Sequence, residues 1–393
     1  MKHNSNIKHA GMINIFFLGM VSFFTDISTE MVYPLIPLYL TAAFGATPAL
    51  VGVIEGIAES TASLLKVFSG YVSDRFHRKK ATAFLGYAAG IIYKLALLFA
   101  GSWVGILGAR VIDRVGKGIR TAPRDVLVSE SAQKGGMGQA FGLHKALDMS
   151  GSALGILITY FLLKNIGDGF DYKKLFLFSI IPAFLGLSMF VFIKEKQMLN
   201  PIKKREPFWQ GIRKVNRQLW LYLMVVFLFT LGNSSNTFIL LKAKDTGFTT
   251  VSVILLYFIY NITASLLAIP FGKLSDRLGR KRLLVPGYLA FSFCYLGFAF
   301  AVNQWMMVTV FVLYGVYTAM IAGAERAYVA EISPPKLKGT MLGLQSTISG
   351  IALLPASIIA GILWTSVGAA VPFVFGAGLS LIAALILIIF MKI

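Results

Sequence analysis

In residues 110–125, RVIDRVGKGIRTAPRD, the side chains Arg110, Asp113, Arg114 and Lys117 are spaced i, i+3, i+4 and i+7. That spacing gathers them on one face of a helix. Two guanidinium groups so placed suit a carboxylate or phosphate, which arginine grips through paired hydrogen bonds. Acids recur at helical spacing elsewhere: Asp26 with Glu30, and Glu55 with Glu59, the latter followed two turns on by Lys66. Carboxylates four residues apart crowd like charges, so each pair is a candidate to carry an exchangeable proton. His144 and Asp148 share a face in the same way, beside Lys145. They are the nearest approach to a catalytic pair, but no nucleophile accompanies them. The four histidines (His3, His9, His77, His144) are scattered, and Cys294 is the one cysteine. Neither a metal-ligand cluster nor an intrachain disulfide is expected, and no cofactor.

The elements that must position these charges are strongly apolar. Of 393 residues, 56% are hydrophobic and 14% charged, well below the roughly 25% charge of a water-soluble domain. Mean hydropathy is +0.73. A helix needs about 20 residues to cross the hydrocarbon. On that basis twelve crossings are expected, at 11–40, 48–72, 81–100, 103–121, 137–163, 174–193, 217–241, 249–272, 283–302, 304–329, 338–361 and 368–391. The stretch after the basic N-terminus is read as a retained first helix rather than a secretory signal. The net charge of +20 sits in short loops between apolar runs, which sets membrane orientation and argues against a nucleic-acid partner. DRFHRKK at 74–80, the central segment 194–217 and DRLGRKR at 276–282 are basic, whereas 41–48 and 301–304 carry no charge. The basic set belongs in the cytoplasm, and an even number of crossings puts both termini there too.

The opening residues therefore fall in the fourth crossing, with Arg110 near its middle and Lys117 and Arg120 near the cytoplasmic end, where snorkelling is cheap. A charge at mid-membrane costs at least ~2.5–3.5 kcal/mol, so this face must line a wet cavity or meet acids. Asp26 and Glu59, nearer mid-membrane, are the favoured proton carriers. A permanent salt-bridge network that only supports packing is the alternative. Pro34 and Pro37 should bend the first crossing just beyond Glu30. The second half of the chain is nearly neutral inside its crossings, apart from Glu325 near one end. It offers Asn233, Asn236, Tyr257, Asn261, Tyr314 and Tyr317 as a polar and aromatic surface for solute contact, or simply for packing.

The chain repeats itself. GYVSDRFHRKK at 70–80 matches GKLSDRLGRKR at 272–282, an offset of 202 residues. Arg124 aligns with Arg326 at that offset, and Glu130 with Glu331 at 201. Two halves of six crossings, 1–193 and 217–393, joined by 194–216, suggest a duplicated unit.

With these motifs the sequence resembles the major facilitator superfamily. Its loop G-x-x-x-D-R-x-G-R-K occurs twice, as Gly70, Asp74, Arg75, Arg78, Lys79 and as Gly272, Asp276, Arg277, Gly279, Arg280, Lys281, with His77 where the first copy would carry glycine. The resemblance covers the whole chain. It implies an all-α membrane protein of two pseudo-symmetric six-helix bundles in the plasma membrane, of bacterial inner-membrane type. It implies secondary transport of a small organic solute by alternating access through a cavity between the halves, one copy of the chain sufficing. It assigns Asp74 and Asp276 to a cytoplasmic latch with Gly70, Arg75 and Arg277, for which Arg124 and Arg326 are candidate partners. Arg110 matches an arginine that the family places in helix four and links to proton coupling. The family's drug-exporter motif G-P-x-x-G-G is reduced here to SGSALG at 150–155, keeping Gly151 and Gly155 alone. An anionic or zwitterionic solute is thus favoured, with proton-coupled efflux of cationic drugs as the alternative. An enzyme and a channel fit less well. A nucleotide-driven pump lacks its G-x-x-x-x-G-K-[ST] loop.

Overall fold

The computed structural model describes residues 2–76, 79–132, 137–166, 171–195, 217–321, 324–333 and 338–390. Within them the chain is helical throughout, and eleven helices are long and apolar enough to cross a membrane. The twelfth expected crossing, α5 (Trp103–Ser131), has the length as well but carries the buried charges.

The chain forms two compact units, one of residues 1–39 and 64–203, the other of 40–63 and 204–393. Residues 40–63 group with the second half of the chain rather than with the first.

The first unit begins with α1 (Lys2–Val32), a 3₁₀ turn at Tyr33–Leu35 and α2 (Ile36–Phe44), whose first residues complete it. Pro34 forces the change, since it lacks the N–H of a continuing helix. The C-terminal part of α3 (Pro48–Phe76), α4 (Lys79–Phe99), α5, α6 (Met137–Ile166) and α7 (Tyr172–Ser188) follow. Ser102 caps α5 by accepting from Gly105 N at 3.4 Å, and Asp171 caps α7 by accepting from Lys173 N at 2.9 Å. Small residues set the packing. A Cβ added at Gly86 of α4 would come within 2.8 Å of Gly116 O on α5, and one at Gly116 within 2.7 Å of Gly86 O. The two backbones touch there, as small residues permit in membranes. Gly151 and Gly155 likewise lay α6 against the Phe23 and Ile27 carbonyls of α1. Ile15, Leu18, Val21, Ala83, Tyr87 and Phe190 pack into one buried cluster. Asn14 and Lys194 exchange two hydrogen bonds beside it, at 2.8 and 3.1 Å.

The second unit contains α8 (Arg217–Gly232), α9 (Thr237–Asp245), α10 (Thr250–Leu278), α11 (Arg280–Phe300), α12 (Gln304–Ile321), α13 (Ala324–Ile332), α14 (Lys338–Ser366) and α15 (Val371–Phe390). The crossing expected at 217–241 is thus broken into α8 and α9 at Asn233–Asn236. Between α10 and α11 the chain turns at Gly279, φ +93°. An L side chain would be strained there, so the glycine of the repeated loop has a backbone reason. The outer faces of both units are apolar. Phe99, Phe184, Ile269, Phe293 and Trp305 stand exposed, a surface suited to lipid.

Candidate functional site

In the first unit the face read from residues 110–117 is buried. Arg110, Asp113 and Arg114 are only 1%, 2% and 3% exposed. Both guanidiniums lie over the Tyr33 ring, at 5.3 and 5.7 Å, a cation–π seat made by the turn at Pro34. Asp113 Oδ2 is 3.8 Å from Arg110 Nη1 and 3.7 Å from Arg114 Nε. These are ion pairs at longer than hydrogen-bond length, so one carboxylate is shared between two arginines. Arg120 departs from expectation. It does not snorkel out but is 6% exposed, with its guanidinium 4.6 Å from the Tyr87 ring centre.

The acids of the first unit lie on α1 and α6. Asp26 and Asp148 are within hydrogen-bond reach of each other. Lys145 Nζ donates to Asp148 Oδ2 at 2.6 Å. His144 does not face Asp148 as its spacing suggested. Its Nε2 pairs with Ser22 Oγ at 3.0 Å, and Ser22 pairs with Tyr87 at 3.1 Å. Glu30 is half-buried one turn beyond Asp26, with further interactions of its own.

Glu55 and Glu59 belong to the second unit. Glu55 is buried and accepts from Ser235 Oγ at 3.4 Å, while Glu59 is half-buried. Ser235 stands in the break between α8 and α9, where the neighbouring asparagines meet tyrosines. Asn233 Nδ2 donates to Tyr317 Oη at 3.3 Å, and Tyr295 Oη donates to Asn233 Oδ1 at 3.5 Å. Tyr314 Oη donates to Asn236 Oδ1 at 2.9 Å. Tyr260, Tyr295, Tyr314 and Tyr317 form a connected aromatic cluster. A broken helix inside a bundle frees backbone and amide groups for a ligand. Tyr257 borders the cluster, its ring 5.8 Å from Tyr260, whereas Asn261 turns back to its own helix and donates to Tyr257 O at 2.8 Å. The break, Ser235 and Tyr295 were missed in the sequence, where GNSSN was the available signal. Glu325 is the acid of this neutral region, and Tyr288 Oη donates to it at 3.0 Å.

The side chains of Lys66, Gly70, Asp74, Arg75 and Asp276 lie outside the described residues. Arg277 and Arg326 are exposed. Arg124 forks onto its neighbour Asp125, at 3.0 Å from Nε and 2.9 Å from Nη2.

Eleven long apolar helices, buried arginines on a further helix and a repeated charged loop define a multi-pass membrane transporter. The chain matches the Major Facilitator Superfamily over residues 18–259 and 223–393, and it belongs to that family. It is similar to an uncharacterised MFS-type transporter of Methanocaldococcus jannaschii, 35% identical over 393 residues, covering 98% of this chain and 97% of that one. It is also similar to the multidrug resistance protein MdtH of Salmonella arizonae, 21% identical, covering 86% of this chain and 83% of that one. Among solved structures, that of a point mutant of the nucleoside transporter NupG has the same fold, with a TM-score of 0.81 at 14% identity over 96% of this chain and 100% of that one. The chain is therefore a secondary transporter of the alternating-access type, not an enzyme, and a multi-pass integral membrane protein of a kind consistent with a bacterial inner membrane.

Proposed function

We propose that this transporter moves a small organic anion or zwitterion together with protons. The observation that carries the reading is the buried Arg110–Asp113–Arg114 face over Tyr33, with one carboxylate shared between two guanidiniums. Such a face is costly in a membrane and suits a ligand carboxylate or phosphate. The coupling proton is assigned to Asp26, which lies beside Asp148. Loss of that proton leaves two carboxylates beside each other and changes what Arg110 and Arg114 must balance. In the second unit, the helix break with Asn233, Asn236, Tyr314 and Tyr317 is a separate polar surface suited to uncharged groups of a solute. Twelve crossings in two six-helix bundles, both termini in the cytoplasm, and a latch through Asp74 and Asp276 complete the scheme. A single copy of the chain suffices.

The second reading, proton-coupled efflux of cationic drugs, is favoured by the acids Asp26, Glu30, Glu55 and Glu59 and by the name of the MdtH relative. Internal pH in proteoliposomes separates the two. Acidification inside when organic anions are added outside, lost in Asp148→Asn and in Arg110→Ala, is the expected result. Alkalinisation of an acid interior on adding cations outside would replace it with the efflux reading. Unaltered coupled transport in Arg110→Ala would sink the scheme.

A further inference from the structure

Lys94, on α4, is 0% exposed, the most completely buried charge among the described residues of the first unit. Its Nζ has no hydrogen-bond partner among the described residues. The Gly86–Gly116 contact fixes its level. α4 and α5 run antiparallel there, so two turns beyond Gly86 on one helix lie opposite two turns before Gly116 on the other, at residues 108–110. The side chain lies back along Gly90, whose absent Cβ would sit 3.8 Å from Nζ. That brings the ammonium into the field of Asp113 without making a hydrogen bond to it. The Tyr93 ring is 5.4 Å away, too weak a partner to replace water.

Four cations, Lys94, Arg110, Arg114 and Arg120, thus act on Asp113, and Asp26 is the other carboxylate in whose field Lys94 lies. Arg110 and Arg114 make further interactions, whereas the Lys94 ammonium makes no hydrogen bond within the described residues. Burying an ammonium without a partner is costly. A lysine placed only to neutralise Asp113 would close to hydrogen-bond distance. An ammonium is a compact charge with three rotatable donors, suited to one or two oxygens of a small anion, whereas the flanking guanidiniums lie over the Tyr33 ring.

We propose that Lys94 is the seat of an oxyanion: its ammonium binds the carboxylate or phosphate group of the solute at the level of Arg110. The assignment rests on the anion-transport reading above and names the group that does the binding.

The experiment is thermal unfolding of the purified full chain at fixed ionic strength, with chloride replaced in turn by acetate, succinate and inorganic phosphate. At least one oxyanion should raise the wild-type midpoint by about 2 °C, the shift for a ligand some tenfold above its Kd. The rise should vanish in Lys94→Met and persist in part in Lys94→Arg. In chloride alone, Lys94→Met should be at least as stable as wild type. The carboxylates and phosphate distinguish the two oxyanion types. A response to added phosphatidylglycerol alone would overturn the proposal by assigning the anion to lipid. So would an undiminished response in Lys94→Met, silence of the wild type, or a Lys94→Met protein that unfolds earlier or fails to fold. Proton movement in proteoliposomes is read separately. Protons moved without any anion stabilisation would sink this inference alone. Stabilisation through Lys94 without proton movement would sink the coupling alone.

Discussion

Lys79, the first residue of α4, is paired with Glu130, near the end of α5. In the second unit Arg280, the first residue of α11, is paired with Glu331 of α13 at 2.9 Å. Both pairs span 51 residues, and they are related by 201. Each unit thus ties the start of one helix to an acid further along, although the repeated loop aligns Lys79 with Lys281 rather than with Arg280. The pairs differ in burial: side-chain exposures are 4% and 13% in the first and 31% and 56% in the second. Removing one partner of a buried pair costs about 3–5 kcal/mol, whereas exposed pairs contribute about 0–1 kcal/mol. Glu130→Ala should lower the unfolding midpoint markedly and Glu331→Ala should barely move it. Equal effects in a thermal melt would contradict this account.

The contact of Gly86 with Gly116 predicts a second effect. A methyl group at residue 86 meets Arg120 Cβ at 2.7 Å and two backbone atoms at 2.8 Å. Backbone cannot rotate away, so α4 and α5 must separate. Gly86→Ala is expected to cost about 1–3 kcal/mol, and Gly108→Ala, where a Cβ meets nothing within 4 Å, almost nothing. Melting the two variants side by side checks it.

At the helix break, Tyr314→Phe removes the donor to Asn236 while keeping the ring in the aromatic cluster. Loss of one neutral hydrogen bond should cost about 0.5–1.5 kcal/mol. Asn236→Ala in the Tyr314→Phe background should then add little. An additive pair in a double-mutant cycle would show that the two groups do not support each other.

Glu325 and Tyr288 make the matching test at an acid. A hydrogen bond to a charged group is worth about 1.5–3 kcal/mol and one to a neutral group about 0.5–1.5 kcal/mol. Tyr288→Phe should therefore cost less in a Glu325→Gln background than in wild type. A cost that Glu325→Gln leaves unchanged would mean that the tyrosine hydroxyl does not depend on the carboxyl's charge.

How much of this was legible without the fold follows from the range of each interaction. Arg110, Asp113 and Arg114 were placed on one buried face because a helix's period and the cost of charge in lipid are local constraints that any apolar run obeys. The repeated loop was legible too, down to Gly279, whose positive φ only glycine adopts easily. Arg120 was misjudged, because depth along a helix does not say whether a tyrosine such as Tyr87 waits on the neighbouring one. His144 was matched by spacing to Asp148, yet Ser22 on α1 took the bond. The break at 233–236 was hidden inside an apolar stretch that reads as one helix. It is stabilised by Tyr295, Tyr314 and Tyr317, which bond to it from 62, 78 and 84 residues away in sequence. By itself the sequence determined the membrane-spanning helices, the family and the charged face, since periodicity and burial cost act within a few turns. Only the tertiary structure decided which polar groups meet: Asp26 beside Asp148, Glu55 with Ser235, and Lys94 without a hydrogen bond among the described residues. Such meetings depend on how pairs of helices approach, at glycines for α1 with α6 and for α4 with α5.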